Sequence, residues 1–150
     1  MKYFFEDEKN LVRLKKCLDE WIGTPYRHRC GVKGRGCDCI HFVSKILEEL
    51  GILIWRKDLI PDYPRDWHIH HTRELLMESL IKEVKVEEVS IYDLRDGDII
   101  LSHYGKAAAH ASFYYKNHVY QSVDRIGVIC SPLSDPIFRR QMKHVFRVLV

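Results

Sequence analysis

Cys39 is the residue of this chain whose position best suits a chemical nucleophile. It follows Asp38, a residue type that caps helix N-termini, and Gly51 supplies a later stop signal. Between them, apolar residues recur at helical spacing: Ile40, Phe42, Val43, Ile46, Leu47 and Leu50. The sequence therefore predicts Cys39 in the first turn of a helix. There the helix dipole and unsatisfied backbone N–H groups favour a thiolate over a thiol.

A cysteine nucleophile needs a base, and the base needs a polar group that orients it. Of the nine histidines, His110 is the predicted base, because it opens a predicted strand among small residues that would let a substrate approach. Gln121 lies on the following predicted strand and is the predicted orienting group. His103 and His118 are the alternative bases, and the pattern places both at exposed positions.

The elements that must position these residues form an α+β pattern, with helices first and an antiparallel sheet second. Helical stripes precede Gly23 and follow Cys39, and a third helix is predicted from about Thr72 to Val84. Residues 52–71 indicate an extended surface connection. The later segments predict, in order, a strand at 99–101, a hairpin of 109–115 with 119–123, a strand at 126–130, a short helix at 136–142 and a strand at 145–150.

Length and composition fit one globular domain over residues 1–150, with 46% hydrophobic residues and a net charge of +3. The basic residues are dispersed, so nucleic acid is not an expected partner, and no stretch is long enough to span a membrane. An odd number of cysteines and a start without an apolar signal segment predict synthesis in a reducing cytoplasm. We expect no cofactor.

A metal site is a weaker interpretation of the cysteines. Cys30, Cys37 and Cys39, taken with His28, have the spacing C-x6-C-x-C. Structural zinc sites use pairs of cysteines with two to four residues between them, which this spacing does not match, and a second well-spaced pair is missing from the sequence too. We therefore predict no metal.

Four short motifs, in this order, resemble the NlpC-type cell-wall cysteine peptidases. They are Gly23-Thr24-Pro25-Tyr26, Asp38-Cys39 after a glycine-rich loop, the turn and strand from Leu94 to Ile100, and the hairpin from His110 to Val123. The segments 63–67, 127–130, 138–140 and 146–147 are similar to the bacteriophage tail-associated branch of that family. The resemblance covers roughly residues 10 to 148.

The resemblance implies a papain-like fold, with N-terminal helices packed on a central antiparallel sheet of about five to six strands. It implies hydrolysis of an amide in peptidoglycan stem or cross-link peptides, with Cys39 as nucleophile, His110 as base and Gln121 as orienting residue. The Cys39 N–H and Tyr26 would stabilise the oxyanion, and Asp38 could receive a substrate amine. Phage tail proteins are implied partners, and a virion tail or the cell wall is the implied place of action.

Two departures from the family pattern leave alternatives open. Ile40-His41 stands where Ser-Gly is usual, which puts recognition of a free substrate amine in doubt. Gln121 replaces the usual histidine and requires a hairpin turn one residue shorter than usual; otherwise Ser122 takes its position. The alternative functions are a catalytically degenerate binding module of a tail, with the pocket blocked by His41, or a papain-like amidase or acyltransferase acting on another substrate.

Overall fold

The structure, a computed structural model, describes residues 1–56, 59–60, 75–104 and 107–150. Within these ranges, a 3-10 turn at Phe4–Glu6 precedes four helices: α1 Glu8–Trp21, α2 Cys39–Glu49, α3 Leu75–Glu83 and α4 Pro136–Gln141. The strands are β1 Gly31–Val32, β2 Gly36–Cys37, β3 Val86–Val89, β4 Ile99–Tyr104, β5 Ala107–Tyr115, β6 His118–Val123, β7 Gly127–Pro132 and β8 Met142–Val148. None of the helices in these ranges is long and apolar enough to cross a membrane.

Six of the strands form one antiparallel sheet in the order β3-β8-β4-β5-β6-β7. The closing strand β8 lies between β3 and β4, so the end of the chain is in the interior of the sheet. β1 and β2 form a separate two-stranded hairpin just before α2. The predicted α+β architecture with N-terminal helices and a central antiparallel sheet is confirmed.

The two faces of the sheet bury different sets of side chains, because successive residues of a strand point to opposite faces. One face packs against α1 and α2 through a large core that includes Leu18, Trp21, Phe42, Phe113 and Phe146. The other face has a smaller core under α4: Ile100, Tyr114, Val119, Leu133, Phe138 and Val145. By the same alternation, His110 and Gln121 belong to the face away from α2.

The β5–β6 hairpin turns through two residues, Lys116 and Asn117, which have φ angles of 45° and 64°. Positive φ at both central positions is the conformation that two-residue hairpin turns favour. His118, which the sequence placed in the turn, is instead the first residue of β6. The turn is therefore the short one that the Gln121 prediction requires.

Some predicted segments agree with the structure and others lie outside it. The third helix is present as Leu75–Glu83, and residues 72–74 are outside the described part. Most of the predicted surface connection at 52–71 is also outside the described residues. Strand β3 and the β1–β2 hairpin were not predicted, since two- and four-residue strands carry little periodicity.

The loop Gly23–Tyr26 joins the outer edge of β7 to the segment that leads into α2. Gly23 N donates to Val128 O at 3.0 Å, and Val128 N donates to Thr24 O at 2.9 Å. Pro25 O then accepts from Cys37 N at 3.0 Å. The approach requires glycine at 127, where φ is +104° and a Cβ would lie 2.4 Å from Thr24 O. The loop thus fixes the start of α2 relative to the sheet.

Candidate active site

Cys39 is the first residue of α2, and its helix is capped as the sequence predicts. Asp38 has extended φ and ψ of −94° and −179°, and its Oδ1 accepts a hydrogen bond from the His41 N–H at 2.9 Å. This is the usual N-cap bond, which satisfies one of the backbone donors at the start of a helix. Cys39 is partly exposed, whereas Cys37, two residues earlier, is buried.

The start of α2 lies at an opening between two strands of the sheet. β5 and β6 pair from Tyr115↔His118 to Phe113↔Tyr120 and no further, while β6 stays paired with β7 as far as Val123↔Gly127. At this opening the backbone of Ala111 hydrogen-bonds the Cys39 sulfur. Ser122 Oγ donates to Cys37 O at 2.9 Å on the other side. The parting of β5 and β6 therefore brings Cys39 next to Ala111, the residue that follows His110.

His110 and Gln121 contact each other directly, although 11 residues separate them. His110 Nε2 lies 2.7 Å from Gln121 Oε1, and both side chains are buried. Because an amide oxygen only accepts, Nε2 carries the proton, and in a neutral ring Nδ1 then holds the lone pair. Ser122 faces Cys37 instead, so Gln121 and not Ser122 occupies the position beside His110. His118 is exposed as predicted, while His103 is half-buried rather than exposed.

Burial holds both titratable groups of the site neutral. It raises the pKa of the Cys39 thiol to about 12, and the Asp38 carboxylate acts in the same direction. Backbone donors of Ala111, Ile40 and Cys39 itself lower that pKa, which is the effect that the helix start predicted, but burial outweighs them. Burial also lowers the pKa of His110 to about 4, and the hydrogen bond that His110 donates to Gln121, which raises this pKa, does not compensate. The pKa of Cys39 is therefore raised, the opposite of the direction that the helix start alone predicted.

A neutral pair changes how the site would start a reaction. In a neutral thiol–imidazole pair the proton moves from sulfur to nitrogen when sulfur attacks, and backbone donors such as those around Cys39 stabilise the charge that would appear at that moment. The packing behind the site is apolar, including a cavity of about 40 Å³ that Ile40 and Ala111 help to line. This volume would hold only about three waters.

Asp38 and Tyr26, the predicted substrate-binding and oxyanion residues, both lie close to Cys39 in the structure. Asp38 is 2% exposed, and its Oδ2 accepts from Arg29 N at 2.7 Å in addition to the cap bond at Oδ1. Tyr26 is half-buried, and its backbone forms a parallel bridge with Cys37. Capping by Asp38 is confirmed, and the substrate and oxyanion roles of these two residues stay predictions.

Two polar features near the site were not predicted from the sequence. The His41 ring turns back onto Asp38, with Nδ1 2.7 Å from Oδ1. A histidine three residues after an Asp cap is the sequence pattern from which this contact could have been predicted. Ser102 on β4 pairs with His110 on β5, and the strand pairing shifts register on each side of Ser102. Its buried hydroxyl has no hydrogen-bond partner among the described residues.

Within the described residues, no group of three or more His, Cys, Asp or Glu could hold a metal ion.

The chain belongs to the NlpC/P60 family, a family of peptidoglycan-cleaving cysteine peptidases, because the family model matches residues 23–147. This confirms the resemblance to cell-wall peptidases at the level of the family. No curated protein matches the chain in sequence.

Solved structures of low sequence identity share the fold. An NLP/P60-family protein similar to a lipoprotein, from Staphylococcus aureus subsp. aureus Mu50, has a TM-score of 0.67 at 19% identity, over 96% of this chain and 43% of that one. An NlpC/P60-family protein from Bacillus cereus ATCC 10987 has a TM-score of 0.63 at 22% identity, over 93% and 40%. The peptidoglycan hydrolase RipB from Mycobacterium tuberculosis has a TM-score of 0.61 at 16% identity, over 95% of this chain and 66% of that one. The chain thus spans about two fifths of the first two proteins.

Proposed function

We propose that this chain is a cysteine hydrolase that cleaves an amide bond in the stem or cross-link peptides of peptidoglycan. Cys39 is the nucleophile, His110 the base and later the acid, and Gln121 the residue that orients His110. The observation that carries the proposal is the buried bond of 2.7 Å between His110 Nε2 and Gln121 Oε1. That bond directs the lone pair of a neutral imidazole to Nδ1, the nitrogen that takes the thiol proton.

The reaction proceeds through a thioester. The Cys39 sulfur attacks the carbonyl carbon while its proton passes to His110 Nδ1, and the carbonyl oxygen becomes an oxyanion near the Cys39 N–H. Collapse of this intermediate breaks the C–N bond, and Nδ1 gives its proton to the leaving amine. Water then attacks the thioester with His110 again as base, which releases the acid and restores the thiol.

The decisive test compares two cysteines of one chain on purified sacculi and muropeptides. Cys39→Ala should lower the release of peptide products by at least about 10³-fold, because the covalent step is lost. His110→Ala should lose activity to a similar extent. Cys130→Ala is the matched control, since Cys130 is exposed, and it should retain wild-type rates. Mass spectrometry of the products identifies the bond, and full activity of Cys39→Ala would refute the proposal.

A degenerate binding module remains the contrasting hypothesis, and thiol labelling alone does not separate it from an enzyme. With the Cys39 pKa raised to about 12, iodoacetamide should react slowly at neutral pH in either case. Turnover is therefore the measurement that discriminates. The His41 ring, the predicted blocking group, bonds Asp38 and packs against Trp55, with ring centroids 5.9 Å apart.

The proposal extends to a bacteriophage tail as the setting, with action in the virion tail or after release to the cell wall. Its support is the sequence resemblance at 127–130, 138–140 and 146–147, since segment 63–67 lies outside the described residues. Copurification of the chain with tail particles after prophage induction is the expected result. Its absence from intact tails that carry their other proteins would contradict this part of the proposal.

A further inference from the structure

One buried hydroxyl on the strand beside His110 has no hydrogen-bond partner among the described residues. It belongs to Ser102, which is fully buried on β4. Buried polar atoms nearly always have a partner in folded proteins, because an unpaired one loses its bonds to water and gains nothing in return. An exception of this kind calls for an explanation other than the stability of the fold.

Ser102 lies directly opposite His110 on the neighbouring strand. The two are register partners in the antiparallel pairing of β4 with β5, and such partners point to the same face with Cβ atoms about 4.5–5.5 Å apart. Alternation along each strand gives the same result, since Ile100 on β4 and Tyr114 on β5 both belong to the core under α4. The hydroxyl is therefore on the same side of the sheet as the His110 ring and within a side chain's length of it.

Both strands that flank β4 carry an extra residue at Ser102. The pairing of β4 with β5 skips Ala109 just after Ser102. The pairing of β4 with β8 skips Lys143 just before it. Bulges change the direction of nearby side chains and are frequent next to active sites. Regular pairing thus ends on both sides of Ser102, directly opposite the candidate base.

A second serine on the same face shows what the Ser102 hydroxyl lacks. Ser112 lies two residues after His110 and is equally buried, and its Oγ donates to Ile100 O at 3.5 Å. That bond fixes the direction of the Ser112 hydroxyl. The Ser102 hydroxyl is bound by none of the described residues, so it can turn its oxygen toward a positive charge when one forms.

His110 becomes positively charged when its Nδ1 takes the Cys39 proton. Its Nε2–H already bonds Gln121 Oε1, so the ring C–H groups are the part of the cation that still lacks an acceptor. The ring is buried, and a fixed or nearby dipole has more effect on a charge there than it would have in water. A hydroxyl oxygen can accept a weak hydrogen bond from such a C–H group.

We propose that Ser102 is a positioning residue of the hydrolase, whose hydroxyl oxygen turns toward the His110 ring and stabilises the imidazolium that forms when Cys39 attacks. The inference deepens the proposed function and rests on its pairing of Cys39 with His110. It adds no bond to the reaction, because the proton still passes from sulfur to Nδ1 and then to the leaving amine. It gives a chemical reason for a buried hydroxyl without a partner.

The test measures the turnover of muropeptides and the alkylation of Cys39 by iodoacetamide, with mass spectrometry of the peptide that contains Cys39. In alkylation the sulfur displaces iodide and its proton must leave, but no substrate is needed. Ser102→Ala should lower kcat and the alkylation rate by the same factor, about 5-fold, with KM little changed. Ser112→Ala is the matched control, and both of its rates should stay within about 2-fold of wild type.

A double-mutant cycle shows whether Ser102 acts through His110. In the His110→Ala background, Ser102→Ala should leave the slower alkylation rate unchanged, because no imidazolium forms there. Ser102→Thr keeps the hydroxyl on a side chain that suits a strand, and it should restore both rates. A purely structural role of Ser102 would produce neither result.

Three outcomes would overturn the inference alone. They are wild-type alkylation in a folded Ser102→Ala variant, an equal loss of rate in the His110→Ala background, and a Ser102→Thr variant as slow as Ser102→Ala. If wild type leaves sacculi and muropeptides intact while the alkylation pattern holds, the proposed hydrolase fails, and the action of Ser102 on the cysteine–histidine pair stands.

Discussion

Two polar clusters of this protein, one around Arg147 and one around His110 and Cys39, are stabilised in opposite ways. At one, Arg147 forms a two-point ion pair with Asp98, from Nε to Oδ1 and from Nη2 to Oδ2, each at 2.9 Å. Nη2 also donates to Asp93 O, and Arg95 N donates to Asp98 Oδ2. At the other, His110 and Cys39 are held neutral by burial, with pKa values of about 4 and about 12.

The difference shows how a buried polar group can serve stability or chemistry. Opposite charges that satisfy each other form a rigid connection, and removing one partner leaves the other uncompensated. Neutral groups in an apolar site keep their protons until a reacting substrate brings new charge, at which point fixed donors become valuable. We therefore expect the Arg147 cluster to govern stability and the His110 cluster to govern activity.

Breaking the ion pair should produce the largest change in stability. Arg147→Met should lower the free energy of unfolding by about 3–5 kcal/mol, because Asp98 would be left buried and unpaired. Urea denaturation at neutral pH measures this, with Arg139→Met, at an exposed position on α4, as the control of small effect. The hydrolysis rate per folded molecule should stay near wild type. A loss below about 1 kcal/mol would contradict the comparison.

Acid should weaken the fold through His110. Its pKa is about 4 in the folded protein and about 6.5 in an unfolded chain, so the unfolded state binds more protons between these values. This contribution to stability is complete above pH 6.5 and is lost as the pH falls to 4, amounting to at most about 3 kcal/mol. His110→Gln, which cannot be protonated there, should lose correspondingly less stability over that range. If the free energies of unfolding of the two proteins fell equally over this pH range, the low pKa of His110 would be contradicted.

Removing the orienting amide should have a moderate effect on the rate. Gln121→Ala should lower kcat by about 10-fold, because an orienting group contributes less than the base. It should also lower the free energy of unfolding by about 1–3 kcal/mol, because the buried Nε2–H of His110 loses its acceptor. Ser122→Ala is the matched comparison on the same strand, and its loss of kcat should be smaller. A larger loss of kcat from Ser122→Ala would assign the orienting role to Ser122 instead of Gln121.

The smallest effect is expected at Ser102, the polar group that neither cluster satisfies. Ser102→Ala removes a buried hydroxyl that has no hydrogen-bond partner among the described residues, so it should be neutral or stabilising by up to about 1 kcal/mol. Thermal unfolding measures the change. A marked destabilisation would show that the hydroxyl has a function in the folded protein.

The sequence predicted the local parts of this molecule well. The Asp38 cap, the α2 stripe and the hairpin that faces His110 with Gln121 depend on residues close in the chain. The arrangement of β8 between β3 and β4 and the parting of β5 from β6 depend on pairings between distant segments, which no local pattern encodes. The bond between Arg147 and Asp98 joins residues 49 positions apart and was missed for the same reason.

The protonation state of Cys39 was predicted in the wrong direction for a physical reason. The sequence indicates the helix start and its donors, which do lower the pKa of the thiol. It does not indicate how much apolar packing surrounds the sulfur, and that packing decides the net direction. The bond between His41 and Asp38 was missed in a different way, because a side-chain rotamer selects it.

The loop Gly23–Tyr26 also limits how this protein can associate with other chains. β7 is an edge strand, and such edges invite strands of other molecules to pair with them. Along its outward side the Val128 amide is already bonded to Thr24, and Pro132 has no amide hydrogen. By alternation, Cys130 is then the one backbone donor that this strand still presents outward. The segment that fixes the start of α2 therefore also protects β7 against edge-to-edge aggregation.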